Sequence, residues 1–146
     1  DNVEGLLGWK RFLILIIGAS LFGDFAHIIA NPSSDIPCIG ASGGISGVLA
    51  FYALKFPNVK LKMLFRYMFY LRWFSVSART AFFVWIGLQI LGAWAQISGI
   101  SNVSAMAHLG GVGFGFACWI LFRDDNGFRK PEKAEYEYNR DASRYK

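Results

Sequence analysis

The sequence predicts an all-α, polytopic transmembrane helix bundle with four spans present, and three observations predict it. The chain is 54% hydrophobic and 17% aromatic but only 17% charged, more apolar than a soluble domain, whose apolar share is about 45 to 50% even with Gly counted. Its fifteen Lys and Arg residues fall into three blocks separated by apolar stretches: Lys10 and Arg11; then Lys55, Lys60, Lys62, Arg66, Arg72 and Arg79; then residues 123–146. The intervals 31–41 and 98–107 hold no Lys or Arg. The positive-inside bias therefore puts the basic blocks on the cytoplasmic face and those two loops on the outer face.

The first span covers residues 12–30, with Asp24 and His27 near its outer end. Asn31-Pro32-Ser33-Ser34 closes it, since Pro and small polar residues favour turns. The second runs over residues 42–56 and stops at Pro57. It is short, because from Ser42 to Phe56 a helix rises only about 21 Å at roughly 1.5 Å per residue, against a hydrocarbon core about 30 Å thick. With Lys55 at the cytoplasmic surface, Ser42 lies below the outer surface.

Residues 61–74 mix aromatic and aliphatic side chains with Lys62, Arg66 and Arg72. They read as an interfacial segment on the cytoplasmic surface, not a crossing. The third span occupies residues 80–97 and carries Trp85, Gln89 and Trp94. The fourth includes His108, fifteen positions before Arg123, much as Ser42 lies thirteen before Lys55. Ser42 and His108 are thus expected at similar depth. The domain organisation is a membrane domain over residues 1–122 and a polar cytoplasmic tail over 123–146. The opening Asp1-Asn2-Val3-Glu4 has no initiator Met and no signal-peptide pattern, so the chain reads as part of a longer protein.

The formal charge of +5 does not make a nucleic-acid surface, because the cations flank apolar spans and form no stripe. Anionic lipid headgroups account for them better. Cys38 falls in the first outer loop and Cys118 well inside the last span, so no disulfide is expected. No Cys/His cluster has metal spacing, and neither a metal nor a cofactor is expected.

The chemistry lies in two motifs. Gly40-Ala41-Ser42-Gly43-Gly44 precedes the second helix, and its glycines let the backbone turn sharply. Ser42 is either a plain N-cap or a nucleophile beside unpaired helix N–H groups that suit a developing oxyanion. Small residues at Gly43 and Gly47, and at Ala107, Gly111 and Gly115 in Ala107-His108-Leu109-Gly110-Gly111, allow close helix approach. Packed along those faces, the two helices bring Ser42 and His108 within reach. An intramembrane histidine is costly and is a functional candidate by default, with a helix-packing hydrogen bond as its competitor. Neutral His108 can take a proton from Ser42 and return it to a leaving amine. Asp24 and His27, at i, i+3, read as a local polar contact or as groups exposed near the outer surface, with a direct catalytic role as the lesser alternative.

The run Ile39-Gly40-Ala41-Ser42-Gly43-Gly44-Ile45-Ser46-Gly47, followed by Ala107-His108-Leu109-Gly110-Gly111-Val112-Gly113-Phe114-Gly115, closely resembles the rhomboid intramembrane serine proteases. Asn2-Val3-Glu4, Gly8-Trp9-Lys10-Arg11-Phe12 and Asn31-Pro32 are similar to that family's third-helix region. The resemblance covers residues 1–122. It implies a Ser-His dyad with Ser42 as nucleophile and His108 as base, oxyanion and backbone support from Gly40, Ala41 and Gly43, and cleavage of transmembrane protein substrates. It also implies that the helix over residues 80–97 moves as a gate. The family has six helices, so four of six are present, and the HxxxN-type helix that helps hold the oxyanion lies upstream of this chain. Ser46 stands where some members place a Tyr against the histidine. The alternatives are a catalytically silent, client-binding relative, a fragment inactive without its upstream oxyanion residues, or an unrelated transporter piece. Compactness and family habit point to a bacterial inner membrane.

Overall fold

The computed structural model describes residues 2–32, 41–67, 70–100 and 103–122. In chain order these form α1 (Asn2–Leu7), α2 (Trp9–Ala30), α3 (Ser42–Lys55), β1 (Lys60–Tyr67), β2 (Tyr70–Ser77), α4 (Ala78–Ile97) and α5 (Ala105–Phe122). Three of the helices, α2, α4 and α5, are long and apolar enough to cross a membrane. As expected, α3 is shorter, at 14 residues. Large apolar side chains cover the outside of the bundle, among them Ile14, Ile17, Leu21, Phe25, Phe83, Leu88, Leu91 and Leu121. Helices apolar on every side, with the larger residues outward, fit a lipid surround.

The three helices α2, α3 and α5 meet along a seam of small residues. A Cβ on Gly23 would lie 2.6 Å from the Ala107 carbonyl oxygen, and one on Gly43 3.4 Å from the same atom. Gly47 faces Ala19 and the Gly111 carbonyl, while Gly111 and Gly115 face the carbonyls of Gly43 and Gly47. Backbone meets backbone here, which only hydrogen in place of a side chain permits. Bulky packing takes over toward the end that carries the basic blocks. There Val3, Leu7, Leu15, Phe51 and Cys118 form one buried cluster, with Phe12, Tyr52, Phe114 and Trp119 against it. A second joins Ala50 and Ala53 of α3 to Phe82 of α4, with Trp85, Ile86 and Val112 beside them.

Two elements differ from expectation. The interfacial segment is an antiparallel hairpin, registered from Lys60↔Ser77 to Tyr67↔Tyr70. Alternation puts Leu61, Met63, Phe74 and Val76 on one face and Lys60, Lys62 and Arg66 on the other. Val, Tyr, Phe and Trp favour such a pleated surface over a helix, so the all-α expectation fails at this one place among the described residues. Its base is clasped by Ala78 N–H donating to Val59 O at 2.8 Å and Arg79 N–H to Pro57 O at 3.3 Å. The other difference is α1, a short helix whose Val3 and Leu7 are buried under the bundle. Cys38, Gly40 and the tail over 123–146 lie outside the described residues.

Candidate active site

Ser42 opens α3. The N-cap position falls on Ala41, whose side chain makes no capping bond, and the helix's first backbone bond runs from Ile45 N–H to Ala41 O at 3.0 Å. Ser42 is therefore the first residue inside the helix and exposed, not its N-cap. The N–H groups of the first turn have no partner within the helix and carry the positive end of its dipole. Gly43 and Gly44 are buried beside it. Ser46, one turn on, is also buried and donates from Oγ to Ser42 O at 2.6 Å. Its one hydroxyl proton is thus used within its own helix.

His108 lies in the first turns of α5, half-buried. Gly43 faces Ala107 at one level and Gly111 one turn on, and Gly47 faces Gly111 and then Gly115. The two helices therefore run parallel, with no helix between them. Since Gly43 sits between the levels of Ala107 and Gly111, Ser42 is level with the turn that holds His108. Among the described residues no hydrogen bond joins the two side chains.

His108 takes its contacts from α4 instead. Its Nδ1 lies 2.7 Å from Gln89 Oε1, and its ring packs against Trp85 with centroids 6.1 Å apart at 38°. Trp85 and Gln89 are four residues apart and so project from one face of α4. Gly92, next along that face, allows a close approach, since a Cβ there would lie 3.2 Å from the Ala105 Cβ. The sequence places Trp85 and Gln89 in a span but gives neither a role. The signal was present: an amide in a membrane helix is costly unless it finds a partner.

The second histidine belongs to a separate polar cluster. His27, 9% exposed, sets its Nδ1 2.7 Å from Ser104 Oγ and 3.4 Å from Gln96 Nε2. Ser104 Oγ accepts from Ala107 N–H at 3.1 Å, and Gln96 Oε1 from Met106 N–H at 3.3 Å. The cluster ties the ends of α2 and α4 to the first turn of α5. His27 is thus buried, and its partners are Ser104 and Gln96 from distant parts of the chain, not the local contact with Asp24 or the outer-surface exposure read from the sequence.

Comparison with known proteins agrees with the family resemblance. A family model described as the rhomboid domain matches residues 1–124. The mitochondrial presenilin-associated rhomboid-like protein of Homo sapiens is 28% identical over 117 residues, covering 79% of this chain and 29% of that protein. The corresponding protein of Bos taurus is 28% identical over 83% of this chain and 30% of its own length. Protein A of Danio rerio is 31% identical over 79% of this chain and 28% of its own length. The chain thus spans under a third of the curated relatives it matches. No solved structure matches it.

Proposed function

Because this chain belongs to the rhomboid family, whose model matches residues 1–124, we propose that it carries the serine and the base of an intramembrane endopeptidase. Ser42 Oγ attacks the scissile carbonyl of a transmembrane substrate while His108 takes its proton. The tetrahedral oxyanion forms against the first-turn amides of α3, at Ser42 and Gly43, where the helix dipole favours negative charge. His108 then gives its proton to the departing amine, and water releases the acyl group by the same route reversed.

One observation carries this reading: the glycine register sets Ser42 level with the His108 turn on two helices in direct backbone contact. Ala41, as the turn into α3, and Gly47, Gly111 and Gly115, as the seam, hold that register. The substrate reaches the pair from the lipid, and residues upstream of this chain supply further oxyanion donors. Losing one such donor costs about 10²- to 10³-fold, so activity belongs to the longer protein. The relatives' names place them in mitochondria, which favours a mitochondrial-type membrane over the bacterial inner membrane expected from compactness.

A fluorophosphonate probe applied to the full-length protein in detergent tests the proposal. Labelling that disappears in both Ser42→Ala and His108→Ala supports the protease. Labelling indifferent to both substitutions, or absent from the wild type, returns the chain to the client-binding reading.

A further inference from the structure

Which nitrogen of His108 acts as the base is set by another side chain. An amide Oε1 can only accept a hydrogen bond. With Gln89 Oε1 2.7 Å from His108 Nδ1, the contact is a hydrogen bond of the neutral imidazole only in the Nδ1–H tautomer, which leaves the lone pair on Nε2. We propose that Gln89 is a positioning residue for the reaction, fixing His108 as the Nδ1–H tautomer so that Nε2 is the atom that takes the Ser42 proton. This rests on the protease reading for its catalytic consequence, though not for its structural content.

The geometry supports the assignment at three points. Trp85 lies beside the ring, with centroids 6.1 Å apart, on the same face of α4 as Gln89. Ser46 Oγ donates to Ser42 O within its own helix, and no hydrogen bond joins it to His108 among the described residues. The seating of α4 is also fixed on both sides of Gln89. Gly92 meets Ala105 on one side, and Phe82 and Trp85 meet Val112 and the α3 alanines on the other. When His108 becomes protonated, the Nδ1–H donor becomes charged and the bond to Oε1 strengthens, so the contact stabilises the imidazolium without supplying a charge of its own. Gln89 thus orients the base as a triad carboxylate does, but with a neutral oxygen.

A structural consequence follows for α4. Only Ala78, Phe82 and Ala93 of this helix are buried, and no row of glycines locks it to α5. The orientation of the base therefore depends on a helix held mainly by side chains.

The test uses the full-length protein in detergent, with ¹⁵N-histidine spectra assigned by difference against His108→Ala, alongside turnover of a transmembrane-peptide substrate. In the wild type, His108 gives the Nδ1–H signature. Gln89→Leu, an apolar change suited to a membrane helix, moves it toward Nε2–H and lowers kcat about 10- to 100-fold with KM within about twofold, because a misassigned tautomer removes the base without removing substrate contacts. Gln89→Glu, which keeps an acceptor oxygen at the same reach, retains Nδ1–H and recovers most of kcat. A wild-type spectrum showing Nε2–H, or a Gln89→Leu variant that keeps both the Nδ1–H signature and wild-type kcat, overturns the proposal. A wild type that shows Nδ1–H yet no Ser42-dependent turnover sinks the protease reading while leaving the Gln89 contact established. If Gln89→Leu fails to fold, the wild-type and Gln89→Glu spectra still decide.

Discussion

Replacing Gly111 by Ala should part the two helices that carry the serine and the histidine. The new Cβ would lie 2.8 Å from Gly43 C and 3.2 Å from Gly43 Cα, and closer still to Gly43 O, where ordinary contact begins at 3.4 Å. All three are backbone atoms of a helix, so no rotamer change relieves them. The helices must separate by at least about half an ångström, and overpacking of this kind costs about 1–3 kcal/mol. Gly43 is the residue after Ser42, so the separation falls directly on the reacting pair. Misplacement by about 1 Å can cost on the order of 10²-fold, so a fall of about tenfold or more in fluorophosphonate labelling rate is expected from half that. Melting temperature in detergent should drop with it. Gly113→Ala is the control, since a Cβ there meets nothing within 4 Å. It should label and melt like the wild type. A Gly111→Ala protein with wild-type labelling rate and melting temperature would refute the reasoning, because the seam would then not be what sets the distance between the pair.

Two further outcomes follow from the polar contacts. His27→Leu removes the partner of Ser104 Oγ and Gln96 Nε2 and should lower stability by about 1–3 kcal/mol, read by thermal melting, while Ser42 labelling persists; loss of labelling equal to that of His108→Ala would make His27 part of the machinery. Ser77→Ala removes the hydroxyl that accepts from Thr80 N–H at 3.1 Å and caps α4, with an expected cost of about 1 kcal/mol, seen as faster proteolysis at the hairpin–α4 junction and no change in labelling.

The spans were legible because a long apolar run bounded by cations has few other structures open to it. The shortness of α3 and the shared depth of Ser42 and His108 followed from counting residues to the nearest cation, and the contact register of Gly43 and Gly111 agrees. The hairpin was not legible. Residues 61–74 are apolar and aromatic without a clean period, and such a run does not distinguish strand from helix. Nor could the sequence show what holds His108. Gln89 lies 19 residues away on another helix, and their meeting depends on how α4 seats against α5, which no local pattern encodes. Ser42 as N-cap was a reasonable local alternative, and it failed because the helix begins one residue earlier than that role requires.

The bundle is built from two unlike materials. Where Phe51, Leu15 and Cys118 pack, the interior is hydrocarbon that can be exchanged for other hydrocarbon of similar volume at modest cost. Along Gly23, Gly43, Gly47, Gly111 and Gly115, the interior is bare main chain, where the smallest possible enlargement already collides. A saturation-mutagenesis map of this domain should therefore be lopsided, permissive across the bulky half and nearly blank across the other, and that blank strip would trace the scaffold of the reacting pair without any assay of chemistry.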